Sequence, residues 1–161
     1  MKPEQTIVNT LAKLKVPEKA YPWIVAQAAH ESAGFKSKLF KLNFNAFGMK
    51  LPKRRPTTAT GPGIQPPSSE GATPYAAYKS LEDSVADLNI WLQYNKIPWT
   101  KINSESDYAG FLFKKGYFGD TFDNYLKGLR YWMSRIKIPK PVIIGLPVLL
   151  LGALALYILS K

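Results

Sequence analysis

The chain has 161 residues, enough for one ordinary domain with a small appendage, and its 46% hydrophobic content supports a packed core. With no cysteine and one histidine it excludes disulfide frameworks, cysteine nucleophiles and multi-histidine zinc sites, so no metal or cofactor is expected, and the redox compartment stays open. Lys and Arg number 22 against 11 Asp and Glu, an excess that suits a polyanion: nucleic acid, anionic lipid or the anionic polymers of a bacterial wall.

In chain order, residues 1–19 are charged throughout and do not read as a secretory signal peptide. Ile7, Val8, Leu11 and Leu14 recur instead at helical spacing. A second helix is predicted over Tyr21–Ser32, with Pro22 near its start and Gly34 past its end. Residues 51–80 are rich in Pro, Gly, Ser and Thr and cannot form a long helix. Within them Thr57–Thr60 and Thr73–Tyr78 are candidate strands of a short hairpin. The cluster Lys53, Arg54, Arg55 lies between Pro52 and Pro56 without interleaved aromatics, so no specific nucleic-acid partner is read from it. Ser80 opens the next helix with Asp83 in a capping-box position, and Leu81, Val85, Leu88 and Leu92 form its apolar stripe. Tyr108, Phe111 and Leu112 predict a short helix that stops near Gly116. Phe122, Tyr125, Leu126, Leu129, Trp132, Met133 and Ile136 predict another, with its aromatics in the core.

From Val142 to Leu159 the chain carries no charge, a run of roughly 18 residues near the lower limit for spanning a bilayer. Lys137, Lys140 and Lys161 flank it and Tyr157 sits at an interfacial position. The expected organisation is therefore a head over residues 1–138 and a C-terminal transmembrane anchor over 139–161. The head is expected to be mainly α, with an irregular or hairpin lobe inserted at about 51–79 and a cleft between body and lobe suited to an elongated ligand.

Glu31 carries the chemistry in this reading. On a helix, Ile24, Gln27, Ala28 and Glu31 share one face, and His30 is turned about 100° away from it. A carboxyl against an apolar wall at a helix C-terminus has two reasons to hold its proton: lost solvation and the unfavourable helix dipole. That state suits a general acid acting on a glycosidic oxygen. A solvated helix-end charge is the plain alternative.

The order A-Q-A-A-H-E-S from Ala26, N-A-F-G-M-K at Asn45–Lys50, Y-K-S-L-E-D-S-V-A-D-L at Tyr78–Leu88 and K-K-G-Y-F-G-D-T-F-D-N-Y at Lys114–Tyr125 resembles the glucosaminidase family of peptidoglycan hydrolases, glycoside hydrolase family 73. The four segments cover most of residues 20–130. The resemblance implies a lysozyme-like fold, endo-β-N-acetylglucosaminidase activity and Glu31 as general acid. It implies Tyr117 near the sugar and Asn45, Phe47 and Gly48 at the cleft floor, with Tyr117, Asn45, Phe47 and Tyr78 as the substrate-binding residues. From the residues alone, Phe47 and Gly48 read better as a core anchor and a close backbone approach. The chain departs from the pattern in Glu31-Ser32-Ala33-Gly34-Phe35, where the aromatic is displaced by one position, and at Thr57-Thr58-Ala59, where an acid is expected. Glu70 is the acid left in the lobe and is the candidate second carboxylate. Without it, the substrate's N-acetyl group or a transglycosylase-type ring closure would let one glutamate suffice.

The expected function is thus hydrolysis of β-1,4 bonds in peptidoglycan, with a lytic transglycosylase or a non-catalytic membrane-anchored structural protein as alternatives. The expected partners are peptidoglycan strands, a lipid bilayer through Val142–Leu159, and capsid proteins. A wall hydrolase with an anchor but no signal peptide fits the internal membrane of a phage virion, with the bacterial inner membrane as the other location.

Overall fold

The computed structural model describes residues 1–142. The run expected as an anchor lies outside the described residues except for Val142, and among those residues no helix is long and apolar enough to cross a membrane.

Helix α1, Pro3–Lys13, starts with a proline where a missing N–H costs nothing, and sends Ile7, Val8 and Leu11 fully into the core. Leu14 falls one residue past its end. Helix α2, Tyr21–Glu31, follows a single 3-10 turn at Glu18–Ala20. Every residue from Trp23 to Ala29 on it is buried. Such a helix must be central, and Ala26, Ala28 and Ala29 let its neighbours approach closely. It packs against α1 on one side and α6 on the other.

A short helix α3, Lys38–Asn43, has no clear apolar period, and the sequence did not predict it. It forms because the Ser37 hydroxyl accepts the Phe40 N–H at 3.1 Å and caps it. The lobe contains an antiparallel pair whose second strand falls within the predicted Thr73–Tyr78, while its first lies just past the predicted Thr57–Thr60. Strand β1 is Gly61–Pro62 and β2 is Ala76–Ala77, in register Gly61 to Ala77 and Pro62 to Ala76. Thr57 and Thr58 are spent elsewhere, since Thr58 donates its hydroxyl to the Asp83 carbonyl at 2.6 Å and Thr57 accepts the Ala59 N–H at 3.0 Å. Pairing therefore begins only at Thr60, whose N–H reaches the Ala77 carbonyl at 2.8 Å.

Helix α4, Leu81–Tyr94, begins in the predicted capping box: Ser80 accepts the Asp83 N–H at 3.1 Å and donates to its carboxylate at 2.9 Å. Its stripe Leu81, Val85, Leu88 and Leu92 is buried and packs on α1. Helices α5, Glu105–Lys114, and α6, Phe122–Met133, are capped by Ser104 and Thr121. Each fully buried Leu or Ile of this core, such as Leu88 and Leu112, contributes about 1.5–3 kcal/mol. After α6 the chain runs back along α1, held where Gln5 donates to the Lys140 carbonyl at 2.9 Å and the Val142 N–H reaches Asn9 at 2.8 Å.

Candidate active site

Glu31 is the last residue of α2, so its carboxylate leaves the buried helix at the point where the body opens. The opening is a cleft of about 750 Å³ between body and lobe, walled by α2, the 47–52 and 116–119 loops, Trp91 of α4, and Arg55, Glu70 and Tyr75. On its protein side Glu31 accepts the Tyr125 hydroxyl of α6 at 2.8 Å. Burial pushes its pKa up to about 7, and the Tyr125 hydrogen bond opposes the rise without cancelling it.

The chain then turns sharply to clear the cleft. Ala33, Gly34 and Phe35 all take positive φ, at 51°, 67° and 64°. The buried Ser32 hydroxyl clasps this left-handed turn by accepting the Phe35 N–H at 2.9 Å. Gly34 has a second reason to be glycine, because a Cβ there would stand 2.6 Å from the Trp132 ring. The displaced aromatic of the sequence, Phe35, packs edge-on against Phe40 of α3.

Loop 45–50 brings its backbone up to Glu31. Gly48 sits at φ 61°, and a Cβ on it would lie 3.2 Å from Glu31 Oε2. Asn45 shapes the loop from inside: its amide N–H groups donate to the Met49 and Ala76 carbonyls, both at 2.9 Å, and its oxygen accepts the Met49 N–H at 3.1 Å. Ser84 of α4 accepts the Ala46 N–H at 3.2 Å. Phe47 is 1% exposed, so its ring anchors the loop in the core. Its carbonyl accepts the Tyr117 hydroxyl at 2.6 Å. The Tyr117 ring stands edge-on to Trp91 with centroids 4.9 Å apart and lines the cleft.

Glu31, Phe47, Gly48, Glu70 and Tyr117 therefore meet in one cleft, whereas Asn45 and Tyr78 do not line it. Both are buried, and their polar atoms are engaged inside the protein. Tyr78 donates its hydroxyl to Asp87 Oδ2 at 2.8 Å, behind the cleft wall. Arg55 grips the same carboxylate with two bonds of 2.7 and 2.8 Å. Burial pushes the Asp87 carboxyl up, but hydrogen bonds from Arg55, Thr57 and Tyr78 outweigh it and hold the pKa below the usual value. The basic cluster is thereby split: Arg55 braces the wall from inside, and Lys53 and Arg54 stay exposed.

Glu70 ends a 3-10 turn of the lobe, exposed, and accepts the Tyr75 hydroxyl at 2.5 Å and the Lys50 ammonium at 3.0 Å. These bonds, Tyr75's first, lower its pKa. The cleft thus holds one carboxyl that keeps its proton to near pH 7 and one that gives it up readily. Two carboxyl groups driven apart in this way can serve as acid and anion in one reaction.

Two contributors were not singled out from the sequence. Tyr125 read as core, and its hydroxyl's role follows only from the packing of α6 on α2. His30 buttresses that tyrosine, edge-on at 5.2 Å, and burial lowers its pKa against the pull of Asp120. The one available signal was Gly128, a glycine inside a strong helix: a Cβ there would stand 2.3 Å from the His30 ring.

A helical body, a small β lobe and a carboxyl of raised pKa thus meet at one cleft. Residues 5–138 match the glucosaminidase family, described as mannosyl-glycoprotein endo-beta-N-acetylglucosaminidase, and the chain belongs to that family of glycoside hydrolases. Among solved structures it is similar to one described as a type VI secretion system effector-immunity complex from Pseudomonas protegens. That match has 19% identity over 81% of this chain and 88% of the other, with a TM-score of 0.57. It is also similar to the catalytic domain of the autolysin Auto from Listeria monocytogenes, with 21% identity over 83% and 84% of the two chains and a TM-score of 0.49. No curated protein matches the chain by sequence.

Proposed function

We propose that the protein is a peptidoglycan hydrolase that cuts the β-1,4 bond after N-acetylglucosamine, with Glu31 as the general acid. The observation that carries this reading is a carboxyl of raised pKa, about 7, beside an open cleft of about 750 Å³, in a chain of the glucosaminidase family. Protonated Glu31 donates to the departing glycosidic oxygen. Tyr125 keeps the carboxyl aimed, and Gly48 lets the floor loop come close to it. Glu70, ionised on the lobe side, is the second carboxylate, facing the positive charge that grows on the sugar ring.

The test is digestion of purified cell walls followed by reduction and analysis of the new ends. N-acetylglucosamine at the reducing ends, absent with Glu31→Gln, supports the assignment. Muramic acid ends would sink it, and 1,6-anhydromuramyl ends would move the protein to the transglycosylases. The uncharged run Val142–Leu159 is read as a tether to a bilayer, within a membrane-containing virion. Flotation of the full chain with vesicles after a carbonate wash supports the tether, and recovery in the soluble fraction would remove it.

A further inference from the structure

Segment 134–142 is pinned to α1 where Gln5 donates to the Lys140 carbonyl and the Val142 N–H donates to Asn9. The point at which the uncharged run Val142–Leu159 begins is therefore fixed on one face of the body. That face is basic. Exposed Lys2, Arg135 and Lys137 gather at a groove beside Pro139, and exposed Lys13 lies at a second groove that includes Val142. Lys140, also exposed, falls between Pro139 and Val142 in the chain. Half-buried Glu4 and exposed Glu82 are the acids lining the two grooves, so the cations outnumber them. Tyr131 of α6 is exposed with the Arg135 guanidinium 3.9 Å from its ring centre, and Val142 is exposed as well. Lysines around an apolar tip, with an aromatic ring under a cation, suit the boundary between water and lipid. None of these residues lines the cleft that holds Glu31 and Glu70.

We propose that this face, formed by α1 and segment 134–142, docks the head on an anionic bilayer. Its lysines and Arg135 meet the lipid phosphates, and Tyr131 lies at headgroup depth. The cleft stays open, because it is built from other residues. A bilayer is the occupant, and not another polyanion, because the chain enters its long uncharged run from this same face. Basic residues beside an apolar span add attraction to anionic lipid. The proposal rests on the bilayer tether proposed above.

The chain has no cysteine, so one introduced at Ser134 or at Lys53 carries a single dye. Ser134 lies on the proposed face, and Lys53 lies in the other exposed basic cluster, on the lobe. The full chain is reconstituted with vesicles that carry a headgroup quencher, made of phosphatidylcholine alone or with phosphatidylglycerol as about a third of the lipid. Ser134→Cys should be quenched far more on the anionic vesicles than on the neutral ones, and Lys53→Cys equally little on both. Salt at about 1 M, which cuts the screening length to roughly 3 Å, should remove the difference. Adding Lys13→Gln, Lys137→Gln and Lys140→Gln should lower the ratio of docked to free heads about fivefold per residue, and so about a hundredfold together. All three are exposed, so the Tm should hold.

Quenching at Ser134 that ignores lipid charge, or that is stronger at Lys53, would overturn the proposal. So would a triple variant that is quenched like its parent but has lost its hold on purified cell walls, which would give the face to wall polymers. Flotation with neutral vesicles reads the tether separately. Flotation without charge-dependent quenching removes the docking face and keeps the tether. Salt-reversible flotation with anionic vesicles only, with quenching at Ser134, keeps the face and removes the tether. A chain that floats with neither vesicle overturns both.

Discussion

Glu31 and Glu70 reach one cleft from opposite kinds of ground. Glu31 ends a helix buried along most of its length, with a single phenol as its partner, and burial dominates its pKa. Glu70 ends one turn of an irregular lobe, in solvent, with a phenol and an ammonium on the same oxygen. The same functional group is a proton store on one side and a fixed anion on the other. The cause is surroundings alone: burial raises one pKa, and hydrogen bonds from Tyr75 and Lys50 lower the other.

The sharpest way to break this division is to neutralise each side in turn. Glu31→Gln should lower kcat on cell walls roughly 10³-fold, within the range for a general acid, with the fold intact. Glu70→Gln should cost only about tenfold, because an exposed carboxylate already neutralised by Lys50 exerts a screened field. Measured side by side on one wall preparation, the reverse order would invert the assignment.

The lobe itself is attached by a different pair, and here the effect falls on stability. Asp87→Ala leaves Arg55 charged and Tyr78 unpaired in a buried site, which should cost about 3–5 kcal/mol by urea unfolding. Lys50→Ala, which breaks the exposed pair to Glu70, should leave the unfolding midpoint where it was. Equal losses would mean that the cleft wall does not depend on its buried brace.

How much of this was legible in the sequence depends on the range of the interaction. The stripe on α4, the Ser80 cap and the face of α2 bearing Glu31 rest on spacings of three to seven residues, and they are where periodicity puts them. The lobe is not. Thr57 and Thr58 looked like strand residues, and only their docking on the start of α4 shows why pairing waits until Thr60. Asn45 and Tyr78 lay in segments resembling a catalytic family, but a motif does not tell a residue that touches substrate from one that holds the wall behind it. Tyr125 acts on Glu31 from 94 residues away, beyond the reach of any local pattern.

The two carboxyl groups should also respond oppositely to pH. Glu31 has a folded pKa of about 7, raised above its ordinary 4.5, so the native state binds more protons than the unfolded chain between those values. Its contribution is complete below pH 4.5 and is lost as pH rises through 7, on the order of 3 kcal/mol. Glu70, with a lowered pKa, contributes above its unfolded pKa and loses that contribution as pH falls through its folded value. Glu31→Gln should flatten the decline of stability from pH 4.5 to 7 in urea titrations, and Glu70→Gln should leave it in place. For activity the same ionisation sets an alkaline limb near pH 7, and Tyr125→Phe should move it upward, because the Tyr125 bond holds the Glu31 pKa down.

The smallest effect concerns the backbone beside each acid. Two residues after Glu31, Ala33 is held at φ 51°, where an L side chain is strained; immediately after Glu70, the chain turns at Gly71, φ 83°. Ala33→Gly should therefore stabilise the protein by up to about 1 kcal/mol, the left-handed penalty less the added entropy of the unfolded chain. Gly71→Ala should destabilise it by about 1–3 kcal/mol, and for conformational reasons only, since a Cβ there meets nothing within 4 Å. Neither change touches the carboxyl groups, so the wall-cutting rate below the melting range should hold in both. A fall in kcat with Ala33→Gly, despite a higher Tm, would mean that the strained turn itself helps to fix Glu31, and that the body holds its acid by backbone tension as well as by burial.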